Sequence, residues 1–282
     1  MRDRSDRATI GSTGSDAAAR SAAMQPRMTN PNRGLRFSLL VAIAAPLGTV
    51  ACSGSPADDT TASASAIVGG GAAPVGAWPS IAGIYHGQTV VCGGTLVADD
   101  WVLTAAHCLQ PYLDHFGVTS IAVGRHDASN EAEGETFTLK NGVRHPSFNY
   151  FNTSNDIALI QLSRPSRAPH ARLAKSSDVA RMVAGAMATV TGWGETVDDG
   201  EGSDRLLQVS LPLVGNAECH ALPSYANVTP DMLCALDPGR GTCHGDSGGP
   251  LWMTLDGAPA QIGIVSWSVG CAEAKKPSVY TN

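Results

Sequence analysis

The chain is 282 residues long, with 43% hydrophobic and 16% charged residues, the balance of a globular protein with enough material for one large domain or two smaller ones. Its net charge of −6 is unevenly spread: seven arginines and three acids fall in residues 1–52, leaving 12 basic against 22 acidic residues in the remainder. So acidic a body excludes nucleic acid as a partner, and no stretch has the spacing of a zinc site or a phosphate cradle, so neither a metal nor a cofactor is expected.

Residues 1–27 contain none of the parts of a signal peptide, whereas Met28 begins one of ordinary length, with Met24 as the other candidate start. Residues 1–27 therefore read as an extension outside the translated protein. Arg33 and Arg36 form a basic flank, Phe37 to Val50 an apolar run, and Ala51 a small residue ahead of Cys52. That is a secretory signal over 28–52, with a run shorter than the ~20 residues of a membrane-spanning helix. A cysteine directly after the small residue resembles a bacterial lipoprotein signal, in which that cysteine is acylated and becomes the new N-terminus. Cys52 is then the lipidation site, and a lipid anchor the only membrane contact. Thr49 stands where such signals usually carry Leu, and the alternative is ordinary cleavage nearby with Cys52 left free. Residues 53–66 are rich in Ser, Ala, Thr and Asp with no aromatic or large aliphatic, a flexible linker or propeptide.

From Ile67 onward short apolar runs alternate with Gly, Pro, Asn and Asp turns. Val90 to Val97, Trp101 to Leu103, Ile157 to Leu162 and Ile262 to Val265 are strand-like, and few segments keep helical periodicity beyond two turns. Regularly spaced short strands predict an all-β sandwich or barrel. Three local words then carry chemistry. His107 lies in Thr104-Ala105-Ala106-His107-Cys108, Asp156 precedes the apolar run Ile157-Ala158-Leu159-Ile160, and Ser247 sits within Gly245-Asp246-Ser247-Gly248-Gly249-Pro250. A serine hydroxyl is a weak nucleophile at neutral pH; it needs a base, and the base needs an orienting group. Glycines around Ser247 let backbone N–H groups approach a reacting carbonyl oxygen.

That order, with those flanking words, resembles the chymotrypsin/trypsin family of serine endopeptidases, and the resemblance covers roughly residues 67–282, as in a secreted or lipoprotein member from a bacterium. It implies two antiparallel six-stranded β-barrels with the active site between them, His107 and Asp156 from the first and Ser247 from the second. By the same resemblance His107 exchanges the proton of Ser247, Asp156 orients the imidazole, and the N–H groups of Gly245 and Ser247 form the oxyanion hole. Ser266, in Ser266-Trp267, matches the serine that supports the buried aspartate. The implied disulfides are Cys92–Cys108, Cys219–Cys234 and Cys243–Cys271, which fit an oxidising, extracytoplasmic compartment, secreted or lipid-anchored to a bacterial membrane.

Ile67-Val68-Gly69-Gly70 resembles the family's activation point, where a cut before the Ile frees an amine that pairs with the Asp beside the nucleophile, here Asp246. The uncut chain is then a zymogen with an activating protease as partner. Ala66 before the cut is not a trypsin-like site and suits slow self-activation. Counting from Ser247, the substrate-pocket floor is Gly241, where a basic-specific enzyme carries Asp; Thr242 and His244 follow, and Ser268 and Ser278 stand at wall positions beside Trp267 and Pro277. The expectation is protein or peptide substrates with small or medium uncharged residues before the scissile bond; a preference for acidic residues through Thr242 and His244 is the alternative. The loop Arg125 to Glu135 matches the place where some relatives bind calcium, yet Arg125 stands at the first acidic ligand, so a solvated acidic loop is expected. Relatives also continue into a C-terminal helix, which is missing from this sequence. A non-catalytic, surface-tethered binding module on the same fold, and an inactive gene fragment, are the rival readings.

Overall fold

The computed structural model describes residues 67–109 and 117–282. The extension 1–27, the signal over 28–52, the linker 53–66 and Cys52 lie outside them. Every named strand pairing is antiparallel, and the strands form two sheets that follow one another along the chain except for the first strand, which joins the second sheet.

The first sheet uses β2 (Ile81–His86), β3 (Thr89–Ala98), β4 (Trp101–Thr104), β5 (Ser120–Val123), β6 (Glu135–Phe137), β7 (Leu139–Arg144) and β8 (Ala158–Leu162), in the order β6-β5-β2-β3-β4-β8-β7. The short β1 (Gly71–Ala72) joins the second sheet, with β9 (Met187–Gly192), β10 (Leu207–Val214), β11 (Met232–Ala235), β12 (Pro250–Leu255), β13 (Ala258–Trp267) and β14 (Ser278–Thr281). There β9 pairs with β10 as well as with β12, so six strands close on themselves and β1 adds to β10. The first sheet closes differently from the expected six-stranded barrel. Its edge strands β6 and β7 are successive stretches of one segment interrupted at Thr138, the first paired to β5 and the second to β8. The result is a curled half-barrel of seven short strands beside one closed barrel.

Alternation explains the half-buried strands. In β8, Ala158, Ile160 and Leu162 point inward while Leu159 and Gln161 are partly exposed, the period of two that one buried face requires. Strands β3 and β13 are instead buried without a break from Cys92 to Leu96 and from Ala260 to Ser266. Leu96, Val102, Ile121 and Ile160 fill the first core, and Val190, Leu211, Leu251 and Tyr280 the second; each large aliphatic contributes ~1.5–3 kcal/mol on burial. The connecting segment is bonded to both halves. Ala171 donates its N–H to Leu96 O at 2.9 Å, and Ala174 its own to Gln261 O at 2.9 Å. Among the described residues helix is confined to α1 (Asn216–His220) and short 3-10 turns, including Ala106–Leu109.

Candidate active site

The turn that presents Ser247 needs its glycines. Gly248 has φ +78, and a Cβ there would strike Thr104 Oγ1 and, at 2.6 Å, the Gly93 carbonyl. This close approach is fastened by hydrogen bonds. Gly93 N–H donates to Ser247 O at 2.7 Å, and Gly248 N–H to Val265 O at 2.8 Å. Among the described residues the N–H groups of Gly245 and Ser247 have no acceptor, so two adjacent backbone donors stand unused beside the serine.

His107 sits on the 3-10 turn that follows β4, and Asp156 lies two residues ahead of Ala158, where β8, the strand paired with β4, begins. The pairing of Thr104 with Ala158 therefore brings the two side chains together. Asp156 is fully buried and accepts three donors: His107 N–H at 2.9 Å through Oδ1, and His107 Nδ1 at 2.7 Å and Ser266 Oγ at 2.5 Å through Oδ2. A carboxylate taken out of water requires such compensation. With the Nδ1 proton held by Asp156, Nε2 is left as the acceptor. His107, Gly245 and Ser247 line one cleft of about 710 Å3, which Val90, Val91, Glu195 and Glu201 also line.

Asp246 points the opposite way, into the second half. It is fully buried, its carboxylate held by Gly194 N–H at 2.9 Å and Cys243 N–H at 3.0 Å. Burial pushes its pKa up to about 6 although both N–H groups oppose the shift, and the charge of Glu195 adds to it. Ile67, the first described residue, is likewise fully buried in the second core and has φ +52, a conformation that costs a β-branched side chain dearly.

Around Gly241, Thr242 Oγ1 donates to Ser278 Oγ at 2.8 Å, and Ser268 Oγ donates to Gly270 O at 2.7 Å. Trp267 stacks on Tyr225 with ring centroids 5.2 Å apart. The buried Tyr280 hydroxyl faces Ser278, and burial raises its pKa. His244 does not join this group; its exposed ring lies 3.8 Å from Asp198 on the cleft rim. The three disulfides are Cys92–Cys108, Cys219–Cys234 and Cys243–Cys271.

The loop from Arg125 to Glu135 is not simply a solvated acidic turn. Arg125 is buried and donates to the carbonyls of Glu133 at 3.1 Å and Ala128 at 3.3 Å and to Thr136 Oγ1 at 2.9 Å, with Tyr85 under the guanidinium. A fixed cation thus occupies the centre of the loop. Among the described residues each set of three metal-ligand types includes a disulfide cysteine, which offers no thiolate.

Several residues of the site carry no local signal in the sequence. Gly194 holds Asp246, and Gly93 holds the Ser247 carbonyl. The pair Gly192 and Gly194 around Trp193 was the available clue, since a Cβ at either would collide with the Asp246 carboxylate.

A family profile described as Trypsin matches residues 67–282. The chain is 37% identical over 224 residues to "Trypsin" of Squalus acanthias, an overlap covering 76% of this chain and 90% of that protein. It is 36% identical over 200 residues to "Trypsin-1" of Gadus morhua, covering 70% and 76% respectively. "Brachyurin" of Leptuca pugilator is 36% identical over 218 residues, with 76% of this chain and 92% of that protein covered. These relatives are animal proteins, and none speaks to a bacterial source or a lipid anchor. With the motif order, the paired β-halves and the profile all in agreement, the chain belongs to the trypsin family of serine endopeptidases.

Proposed function

We propose that residues 67–282 hydrolyse peptide bonds through an acyl-enzyme on Ser247. His107 Nε2 takes the Ser247 proton as Oγ bonds to the scissile carbonyl carbon. The same proton passes to the leaving amine as the C–N bond breaks. Water then repeats the sequence and releases the acid. Gly245 and Ser247 N–H groups hold the developing oxyanion, an effect worth ~3 kcal/mol per donor in such sites. The observation that carries this reading is the bonded series Ser266–Asp156–His107 ending in the cleft that Ser247 and Gly245 also line. The non-catalytic reading has nothing in its favour, since nucleophile, base and orienting carboxylate are all retained. Protein beginning at Ile67 is expected to cleave a mixed peptide substrate, and Ser247→Ala to lower kcat by several orders of magnitude; near-parent turnover in that variant would sink the assignment.

The uncut chain reads as a zymogen. Asp246 is a buried carboxylate with no cation within salt-bridge distance among the described residues, and Ile67 is strained at φ +52. A cut after Ala66 relieves that strain, worth ~1–3 kcal/mol, and supplies an amine with an ordinary pKa near ~8 as the missing counter-charge.

Substrates are proteins or peptides with small or medium uncharged residues before the scissile bond. Gly241 contributes no charge, and the hydroxyls of Thr242 and Ser278 are engaged with each other. His244 is turned toward Asp198, so an acidic side chain meets no free cation there. Ala66 itself fits this preference, which supports self-activation. Secretion matches the three disulfides, and anchoring through Cys52 completes the proposal.

A further inference from the structure

The segment that follows the activation point is tied to one loop of the second half. Gly241 N–H donates to Val68 O at 3.1 Å, and Arg240 Nε donates to Gly69 O at 3.0 Å. The guanidinium is oriented from its other end, because Nη1 donates to Asp237 Oδ2 at 2.9 Å. The contact is close enough to dictate the residue at 69. Gly69 has φ +71, and a Cβ there would strike Arg240 Cγ and lie 2.7 Å from Gly239 O. The loop is braced on its far side by Gly239 N–H, which donates to Ala272 O at 3.2 Å.

What this loop leads into gives the contact its meaning. Arg240 directly precedes Gly241 at the pocket floor, Thr242 follows, and the N–H of Cys243 is one of the two donors to Asp246. The Arg240 clasp on Gly69 therefore joins the segment that carries the new amine to the stretch that shapes both pocket and buried carboxylate. The backbone bonds that tie that segment to the second half are those at Val68 O, the β1 pairing of Gly71 and Ala72 with Gln208 and Leu207, and the bond from Ala73 N–H to Leu206 O at 2.9 Å, so Gly69 itself is held by the Arg240 side chain.

We infer that Arg240, oriented by Asp237, is a positioning residue that latches the cleaved N-terminal segment and so sets the fraction of molecules with an ordered pocket. The inference rests on the activation reading above. Its energetic logic is a population shift: a state competent only in part binds and turns over in proportion to that part. A hydrogen bond from a charged donor, partly exposed here, is worth about tenfold in such an equilibrium. Linkage then fixes a second consequence. Insertion requires the charged amine, so a tenfold weaker latch lowers the apparent pKa of the alkaline activity limb by up to about one unit. The groups facing the Asp246 end of this pair are Glu195 and Tyr280, and Arg240 itself faces Asp237; the substitutions below leave Glu195 and Tyr280 in place.

The test uses full-length protein with a heterologous cleavage site ahead of Ile67, comparing the parent, Arg240→Ala, Arg240→Lys and Asp237→Asn before and after cutting. In the cut forms we expect the tenfold loss in Arg240→Ala to be shared between a smaller competent fraction, read as lower kcat/KM and fewer sites titrated rapidly by a fluorophosphonate, and a lower alkaline limb, which moves by up to about one unit where the inserted form dominates. Arg240→Lys should restore part of each, and Asp237→Asn should shift the limb the same way by less. An unshifted alkaline limb together with an undiminished rapidly titrated fraction in cut Arg240→Ala overturns the inference, whether or not kcat/KM falls. If Arg240→Ala does not fold, an unshifted limb together with an undiminished rapidly titrated fraction in both Arg240→Lys and Asp237→Asn overturns it equally. Equal activity of cut and uncut parent protein would instead remove the activation reading on which the inference stands.

Discussion

The amide of Gly93, in β3 of the first half, donates at 2.7 Å to the carbonyl of Ser247 in the second. Ser247 and His107, the proposed nucleophile and base, belong to different halves, so this bond holds the serine loop beside the turn that carries His107. The approach is possible only without side chains, since a Cβ at Gly93 would lie 2.8 Å from Gly249 Cα.

Substituting Gly248 tests that approach. Gly248→Ala meets both a positive φ and the Gly93 carbonyl, so the loop must move. A stability loss of about 3 kcal/mol and a fall of at least a hundredfold in kcat/KM are expected, read by thermal unfolding and peptide hydrolysis. Parent-like values in both would show that the loop is not confined in this way.

The Asp156 bonds predict a graded series. Asp156→Asn presents an amide where His107 Nδ1 needs an acceptor, and kcat should fall by the ~10,000-fold that the wrong imidazole tautomer costs a serine-protease triad. Ser266→Ala removes one of three donors to a buried carboxylate and should cost about tenfold in kcat/KM. Equal losses in the two variants would contradict the roles assigned to them.

Asp246 predicts opposite pH trends for cut and uncut protein. In the uncut chain its pKa is pushed up to about 6 from 3.8 by burial. The folded form therefore binds its proton more tightly than the unfolded form. That stabilisation is complete below 3.8 and is lost as pH rises through 6. After cutting, the amine reverses the sign, so the carboxylate is depressed and stability is retained as pH rises. The difference in unfolding temperature between cut and uncut protein should widen between pH 4 and 6. Glu135 does not confuse the comparison. Burial opposes its shift, but the Arg167 N–H, the Ser166 hydroxyl and the Arg164 guanidinium pull it down to about 2 in both forms. Parallel pH curves for the two forms would contradict the pairing.

The pocket predicts a substrate order. Across peptides varied only before the scissile bond, Ala, Val and similar residues should lead in kcat/KM. Discrimination by size is modest, ~1–3 kcal/mol per methylene, whereas Arg and Lys find no carboxylate at Gly241, Thr242 or Ser278. A best rate after Arg or Phe would overturn the assigned specificity.

Much of this architecture was legible in the residues before any coordinates. The words around His107, Asp156 and Ser247 are local and chemically explicit, and the strand runs at Val90 to Val97 and Ile262 to Val265 fall within β3 and β13. The parts that escaped notice depend on approach between distant segments. The hinge at Thr138, which splits one stretch into β6 and β7, is a matter of pairing partners and leaves no mark in local pattern. The Gly194 donor to Asp246 and the Arg240 clasp on Gly69 span residues far apart in the chain. In sequence Arg125 looks like an interruption of an acidic loop, because its burial depends on the carbonyls of Glu133 and Ala128, which meet it only in the folded loop.

The most direct measurement is mass-spectrometric mapping of a fluorophosphonate adduct on protein cut to begin at Ile67. The account predicts a single adduct on Ser247 that forms rapidly, is slowed severely by His107→Ala, and is nearly absent before cutting. Folded, cut protein that remains unlabelled at Ser247 would contradict the central claim.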